Sequence, residues 1–322
     1  MCGLFGVVNY DNKLNSNDLS RICNALARES EERGSHATGI AYINKGKILI
    51  EKAPKPAHRM NFRISNTCAI MGHTRHSTQG SERKNFNNHP FMGYTKSQNQ
   101  FALAHNGILY NDKTIRSKLK LPKTKIETDS YIAVQLIGKK GEVSLESLKY
   151  MSEKVQGSFS FSVLDYIGNL YIVKGDSPVS MLLFKDLGLY VYASTDDILW
   201  RAITNTVLLK HIQNAIDKKD ASIERIIIDS GEIIKIDTKG TITKTTFRFY
   251  ELDCLEYRWW STKNSKEEST YVSDLKSIAA QLGYSPEEID EFIECGYSCE
   301  EIEEILYQCD NEDFGRLAYL CR

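Results

Sequence analysis

Apolar and polar side chains alternate with a period of two through much of the first 250 positions, and that pattern predicts short β-strands. Residues 39–43 and 47–50 read as the two strands of a hairpin. The connecting Asn44-Lys45-Gly46 supplies the turn, and Glu51 ends the second apolar run. Further apolar runs predict strands at 101–104, 159–165, 170–174, 181–184, 189–193 and 226–229. Residues 232–237 and 241–247 flank Gly240 as another hairpin. The opening run Leu4-Phe5-Gly6-Val7-Val8 is apolar throughout. Two stretches, 18–32 and 129–138, carry the 3.6-residue period of helices instead. Many strands with two main helical segments imply layered sheets covered by helices.

The pattern changes near residue 251. Residues 261–270 hold only polar and charged side chains, so 251–270 reads as a linker between a body, 1–250, and a helical module, 271–322. A short repeat marks the module. Gly283-Tyr284-Ser285-Pro286-Glu287-Glu288-Ile289 returns as Gly296-Tyr297-Ser298-Cys299-Glu300-Glu301-Ile302. Each copy carries a capping box, Ser285 with Glu288 and Ser298 with Glu301, and Pro286 takes the favoured first helical position. Ile289, Phe292, Ile293, Ile302, Ile305 and Leu306 are the expected inward set. The module is loosely similar to small three-helix interaction domains of the ubiquitin-associated type.

Charge sharpens this division. Residues 252–322 hold 17 Asp and Glu against 6 Lys and Arg, a net −11, while residues 1–251 hold 25 against 35, a net +10. An acidic tail on a basic body points to self-association or a protein partner more than to nucleic acid. The basic stretch Lys113, Arg116, Lys118, Lys120, Lys123 and Lys125 reads as a solvated face. No apolar run approaches the ~20 residues of a membrane span. The N-terminus has no charged segment followed by an apolar one, so secretion is not expected. Eight cysteines at 2, 23, 68, 254, 295, 299, 309 and 321 show no framework spacing, which fits a reducing cytoplasm. Cys295 and Cys299 have helical spacing without a further Cys/His set, so no metal is expected. Gly138-Lys139-Lys140-Gly141 lacks phosphate-loop spacing, and Trp259-Trp260 reads as a packed domain edge. No cofactor is expected.

The chemistry begins at Cys2. A small second residue favours removal of Met1, which would leave Cys2 with a free α-amine beside its thiol. A thiol titrates near ~8.5 and an α-amine near ~7.7–8.0, so the amine is partly neutral at working pH and can take the thiol proton. One residue then holds nucleophile and base. Three further segments stand out: Gly72-His73-Thr74-Arg75-His76-Ser77-Thr78-Gln79-Gly80 with Asn88-His89-Pro90-Phe91, Ala104-His105-Asn106-Gly107-Ile108, and Glu127-Thr128-Asp129-Ser130. Glutamine offers a carboxylate, an ammonium and a side-chain amide. Arg75 supplies a forked donor for the carboxylate, Thr78 a hydroxyl, and Asp129 an anion for the ammonium. The Asn106 amide and the Gly107 N–H would hold an oxyanion. Singly, Arg75 also fits a surface ion pair, Asn106-Gly107 a turn, and Asp129 a helix cap.

Together with Cys2-Gly3-Leu4-Phe5-Gly6, these segments resemble the class II glutamine amidotransferases, the N-terminal-nucleophile family, over roughly residues 2–240. Glu32-Arg33-Gly34, Thr38-Gly39, Gly175-Asp176-Ser177-Pro178, Ala193-Ser194 and Gly231-Glu232-Ile233 also fit. The resemblance implies an α+β fold, a four-layer αββα sandwich, with the all-α module appended. It implies glutamine hydrolysis through a Cys2 glutamyl thioester, with Asn106 and Gly107 catalytic, Arg75, Thr78, Asp129, His76 and Gln79 around the substrate, and Arg33 and His89 as further site residues. His76 stands where the family often has an aromatic residue, and Gln79 where it has His. Ser35-His36-Ala37 replaces a usual Tyr-Asp-Ser, and no acceptor domain follows. The expected product, ammonia, therefore goes to an acceptor enzyme on a separate chain. Two alternatives remain open here: an N-terminal-cysteine hydrolase of another amide, and a degenerate binding module that uses the tail.

Overall fold

The opening apolar run forms strand β1 (Gly3–Asn9), buried along its whole length. It sits inside a seven-stranded antiparallel sheet. Its two neighbours are β4 (Ala69–Arg75) and β10 (Leu189–Ala193), and Phe5 lies opposite both Gly72 and Ala193. Outward from β10 come β9 (Ser180–Phe184) and β11 (Ile223–Ile226), and outward from β4 come β2 (Ala37–Asn44) and β3 (Lys47–Ala53). The β2–β3 turn has Lys45 at φ 50° and Gly46 at φ 74°, the paired left-handed conformation that a tight hairpin needs. A second antiparallel sheet runs in the order β13 (Ile242–Thr246), β12 (Glu232–Ile236), β8 (Leu170–Lys174), β7 (Gly157–Asp165), β6 (Gln100–Leu109), β5 (Phe91–Tyr94). The computed structural model describes residues 2–218 and 222–248, together with 272, 275–280, 284–294, 299, 302 and 306.

Three apolar layers hold the sheets and helices together. Leu4, Val8, Met71, Ala102, Ala104, Leu164 and Ile172 lie between the two sheets. Phe5, Val7 and Val191 pack on the other face of the first sheet, against Leu19, Ile22 and Leu26 of α1 (Ser16–Glu29) and Ile198 and Ala202 of α5 (Asp196–Thr204). Leu103, Phe161 and Val173 pack outward from the second sheet, against Ile132, Leu136 and Ile137 of α3 (Tyr131–Lys140) and Leu148 and Met151 of α4 (Leu145–Ser152). The result is helix, sheet, sheet, helix, the α+β sandwich expected. Burying each such Leu, Ile or Phe contributes about 1.5–3 kcal/mol, so the layers and not the helix propensities set the stacking.

The predicted strands and helices are largely recovered, with informative shifts. β6 runs well past 104 because polar His105-Asn106-Gly107 stays in the ladder with β7. The run 226–229 is not a strand; β11 ends at Ile226 and Ile227 is 66% exposed. α1 starts at its Asn15 cap, whose side chain accepts the N–H groups of Asn17 and Asp18, and gives way to a 3-10 turn, Ser30–Arg33. Helices α2 (Asp112–Lys118), α4, α5 and α6 (Leu208–Lys218) went unpredicted. Lys113, Lys118, Lys120, Lys123 and Lys125 are solvent-exposed.

The chain divides into two units, Met1–Phe249 and Tyr250–Arg322. In the second, Leu275, Ala279, Tyr284, Ile289, Phe292, Ile302 and Leu306 form a core of their own. The helix Pro286–Glu294 begins as expected: the Ser285 N–H donates to Glu288 Oε2 at 2.8 Å, and Ser285 Oγ accepts the Glu287 N–H at 3.2 Å. Ile293 is 36% exposed, which corrects its inward assignment. The linker 251–270, Trp259-Trp260, the second capping box, Cys295 and Ile305 lie outside the described residues, as does Met1.

Asp165 closes the β7–β8 hairpin with unusual economy. Its Oδ1 accepts the N–H groups of Ile167, Gly168 and Asn169, and its Oδ2 accepts from Asn169 Nδ2 and the Tyr171 hydroxyl. Asp165→Ala leaves the buried Asn169 amide and Tyr171 hydroxyl without their acceptor and is expected to destabilise the body by about 3 kcal/mol. Thermal unfolding of the full chain, compared with the parent, checks it; an unchanged midpoint contradicts the assignment.

Candidate active site

Strand alternation assembles the site. On β1, Leu4 and Val8 face the second sheet, so Cys2, two residues before Leu4, projects the same way. On β4, Ala69 and Met71 face it, and His73 and Arg75 continue that row. On β6, Ala102 and Ala104 face the first sheet, and Asn106 continues theirs. Cys2 lies one residue beyond the Gly3–Thr74 pair, level with Arg75. The apolar inter-sheet layer therefore ends in Cys2, His73, Arg75 and Asn106. Across that layer His73 Nε2 donates to the His105 carbonyl at 2.9 Å, tying β4 to β6.

Cys2 and the start of β1 are held on both sides. Arg33 Nε donates to the Cys2 carbonyl at 2.8 Å, and the buried Ser194 hydroxyl accepts the Leu4 N–H at 2.8 Å. The thiol points to the His76 carbonyl at 3.5 Å. Burial pushes the Cys2 thiol pKa up; Arg75 opposes this and Asp129 adds to it, so both charged residues lie within electrostatic reach of the sulfur. Gly34 is required by contact: a Cβ there would fall 2.4 Å from the Arg75 carbonyl carbon and the His76 nitrogen.

Arg75 is 3% exposed, which excludes a surface ion pair. Its guanidinium donates to Asn88 Oδ1 and to the carbonyls of Gln79 and Gly80, each at 2.7 Å. Asp129 is not a helix cap. Its Oδ2 accepts the Leu109 N–H at 2.6 Å, and its Oδ1 accepts from Ser130 Oγ at 3.3 Å. Ser130 Oγ also pairs with His105 Nδ1 at 2.8 Å. The ring of exposed His76 stacks on His36 at 4.9 Å between centroids, and His36 Nδ1 accepts the Ser77 N–H at 3.0 Å. Thr78 is exposed, Gln79 meets Arg75 through its backbone only, and His89 lies buried behind the site against His73 and Phe91.

The Asn106-Gly107 dipeptide is no turn; it lies within β6. Phe159, opposite Gly107, spends its backbone on the far side, donating its N–H to Asp176 Oδ1 at 2.8 Å and accepting from the Gly175 N–H at 3.0 Å. Gly107 and Phe159 are therefore a pair without mutual hydrogen bonds, and the Gly107 N–H points away from β7. On that same side the His105 carbonyl is taken by His73 and the Leu109 N–H by Asp129. The Gly107 N–H lies between two fixed groups. Gly107 has φ +132°, and a Cβ would meet the Ser158 carbonyl oxygen at 2.0 Å, so only glycine fits. Beside it, Asn106 Nδ2 is buried and has no hydrogen-bond partner among the described residues. A buried amide donor left unmet costs about 1–3 kcal/mol, and such a donor calls for an acceptor supplied from outside. Asn88, Lys52, His73, His105 and Ser130 were not singled out from the sequence; their roles depend on contacts between distant strands.

Comparison with known proteins finds similarity to glutamine amidotransferases. Residues 73–200 match the family profile described as a glutamine amidotransferase domain. The chain is 29% identical over 206 residues to a glutamine–fructose-6-phosphate aminotransferase (isomerizing) of Chlamydia trachomatis, covering 61% of this chain and 32% of that protein. It is 31% identical over 172 residues to the same-named protein of Aquifex aeolicus, covering 51% and 27%. The chain thus spans about a third of the length of the curated relatives it matches. The glutamine phosphoribosylpyrophosphate amidotransferase from B. subtilis complexed with ADP and GMP aligns with a TM-score of 0.60 at 18% identity, over 77% of this chain and 50% of that one. No group of three His, Cys, Asp or Glu among the described residues could hold a metal ion. No described helix is long and apolar enough to cross a membrane.

Three of the structural links are histidines kept neutral by burial. His73 is lowered to about 3, His89 well below its ordinary value, and His105 also downward, each with burial as the largest cause. In the unfolded chain they titrate near ~6.5, so below that pH the unfolded state binds more protons and stability falls with pH. Between pH 6.5 and 5, before carboxylates titrate, the three contribute up to about 4 kcal/mol per pH unit. Urea midpoints measured across this range should drop steeply; a flat profile contradicts the neutral assignment.

Proposed function

The amidotransferase domain of this chain belongs to the class II, N-terminal-nucleophile glutamine amidotransferases, and from that premise we propose that it hydrolyses glutamine to glutamate and ammonia. The observation that carries the reading is the unpartnered Asn106 amide beside the outward Gly107 N–H, within one layer of Cys2. Removal of Met1 frees the Cys2 α-amine. That amine takes the thiol proton as Sγ attacks the side-chain amide carbon of glutamine. Negative charge moves to the amide oxygen, where Asn106 Nδ2 and the Gly107 N–H receive it. The α-ammonium returns its proton to the leaving nitrogen, ammonia departs, and a glutamyl thioester remains. Water, deprotonated by the same amine, then releases glutamate. Arg75 takes the substrate carboxylate and Asp129 its ammonium, with Thr78, His76 and Gln79 around the amino-acid end.

In this reading ammonia passes to an acceptor enzyme on a separate chain in the cytoplasm. The matched relatives are named glutamine–fructose-6-phosphate aminotransferases, a name that pairs glutamine with a second substrate. The acidic residues 271–322 serve as a protein-binding or self-docking element, supported by the charge opposition between residues 252–322, −11, and residues 1–251, +10. All proposed catalytic groups precede residue 130, so a chain ending near Thr270 keeps its site.

Intact mass should show the chain beginning at Cys2, and a glutamine-like chloroketone should alkylate Cys2 and no other cysteine. Active protein that retains Met1, or labelling that survives Cys2→Ala, overturns the mechanism. In steady-state kinetics, Arg75→Ala and Asp129→Ala are expected to raise KM, because the groups they hold keep their charge throughout. Asn106→Ala should lower turnover by ~10²–10³, since charge develops at its position. The reverse pattern would refute these roles.

A further inference from the structure

Arg75 and Lys52 are two cations set close together whose hydrogen bonds all go to neutral oxygens. Lys52 lies on β3 opposite Gly39, and its ammonium donates to the carbonyls of Asn88 and, at 3.0 Å, Pro90, above the Phe91 ring. The Lys52 carbonyl accepts from Asn85 Nδ2 at 2.9 Å. Segment 85–90 is thus fastened to β3 through both ends of one residue. Gly39 leaves the room: a Cβ there would meet the His89 carbonyl oxygen at 2.4 Å and Lys52 Cβ at 2.6 Å. Asn88, fully buried, connects this segment to the site. Its Nδ2 donates to the Glu82 carbonyl at 2.8 Å and to Asn85 Oδ1 at 3.1 Å, which fixes the amide so that Oδ1 faces Arg75 Nη1.

We infer that Asn88 and Lys52 are positioning residues for anion recognition: Asn88 aims the Arg75 guanidinium, and Lys52 holds Asn88 in place while adding a second positive charge. The inference rests on the glutaminase reading, which makes the anion the α-carboxylate of glutamine. Among the described residues no acceptor of the Arg75 guanidinium is a carboxylate, so its charge is available to a substrate carboxylate. Lys52 is coupled to that event. Burial first, and the Arg75 charge second, lower its pKa to about 8. Its charge in turn acts on the buried imidazoles His73 and His89, both held neutral. A carboxylate arriving at Arg75 offsets the positive field and raises Lys52 again. Binding therefore takes up a proton near pH 8 and weakens as the pH rises through that value.

Calorimetric titration of glutamine into the full chain carrying Cys2→Ala, which binds without turnover, tests this in buffers of different ionisation heat from pH 6.5 to 9.5. Proton uptake near pH 8 is expected. Lys52→Arg, which stays charged, should abolish that uptake and bind about tenfold tighter than its parent at pH 9. Asn88→Ala should weaken binding about tenfold or more at every pH. In the Cys2 enzyme Asn88→Ala should raise KM with little change in kcat, and Asn88→Ser should recover part of the loss. Thermal unfolding confirms that each variant is folded. Parental proton uptake in Lys52→Arg, or parental affinity in folded Asn88→Ala and Asn88→Ser, overturns the inference. Failure of the glutaminase reading shows separately, as a Cys2 that the chloroketone does not label.

Discussion

One hydrogen bond across the core, from His73 to the His105 carbonyl, sets the local geometry on which this site depends. Two twisted sheets packed through apolar side chains have no intrinsic registry along their length; dispersion and burial are non-directional. A buried neutral donor aimed at one buried carbonyl is directional, and sliding either sheet would leave both groups unmet. The bond fixes β6 next to β4 at the place where both rows of inward side chains turn polar. Asp129 on Leu109 and Ser130 on His105 then hold the same strand from the helix side. Three side chains from two segments thus hold the stretch His105 to Leu109, with the Asn106-Gly107 dipeptide between the points of attachment.

Much of this was legible in the sequence, because period-two alternation is a local property. The hairpins and most of the strand runs follow from it, whereas the strand 69–75, whose inward row ends in the motif residues His73 and Arg75, was not among those predicted. Reading stopped where the determinant was not local. Ile226-Ile227-Ile228 has the composition of a strand, but the sheet edge offers pairing only to Ile223–Ile226. Asp129 precedes a helix and so resembles a cap, yet its carboxylate is taken by a strand twenty residues earlier in the chain. Helices α5 and α6 are amphipathic but short, and their start signals, such as Thr195 capping Ile198, fall among strand-like neighbours. Ile293 has the right helical spacing for a core position and still faces out, since the apolar stripe of a nine-residue helix is narrower than its sequence allows.

Candidate chemistry followed the same divide. Cys2, Arg75, Asn106, Gly107 and Asp129 were visible because each is a residue type that glutamine chemistry needs. Asn88 and Lys52 were not, because nothing in a lone amide or a strand lysine announces that it holds a guanidinium or a loop. His76 and His36 occupy unusual positions in their motifs, and they stack on each other over the thiol side of the site. Two substitutions that look independent along the chain are one contact in space.

The place of β1 inside its sheet has a temporal consequence. Its partners are residues 69–75 and 189–193, and the Leu4 N–H finds the Ser194 hydroxyl 190 positions away. Contacts of such long range form late in folding. A ribosome that has released only the first hundred residues has exposed Cys2 but none of β10, so the thiol stands in open solvent. During that interval an aminopeptidase can reach Met1, and the sulfur is as unreactive toward an unactivated amide as any free cysteine. Cys2 takes its final place only when the strand that was synthesised first is enclosed by one of those synthesised last.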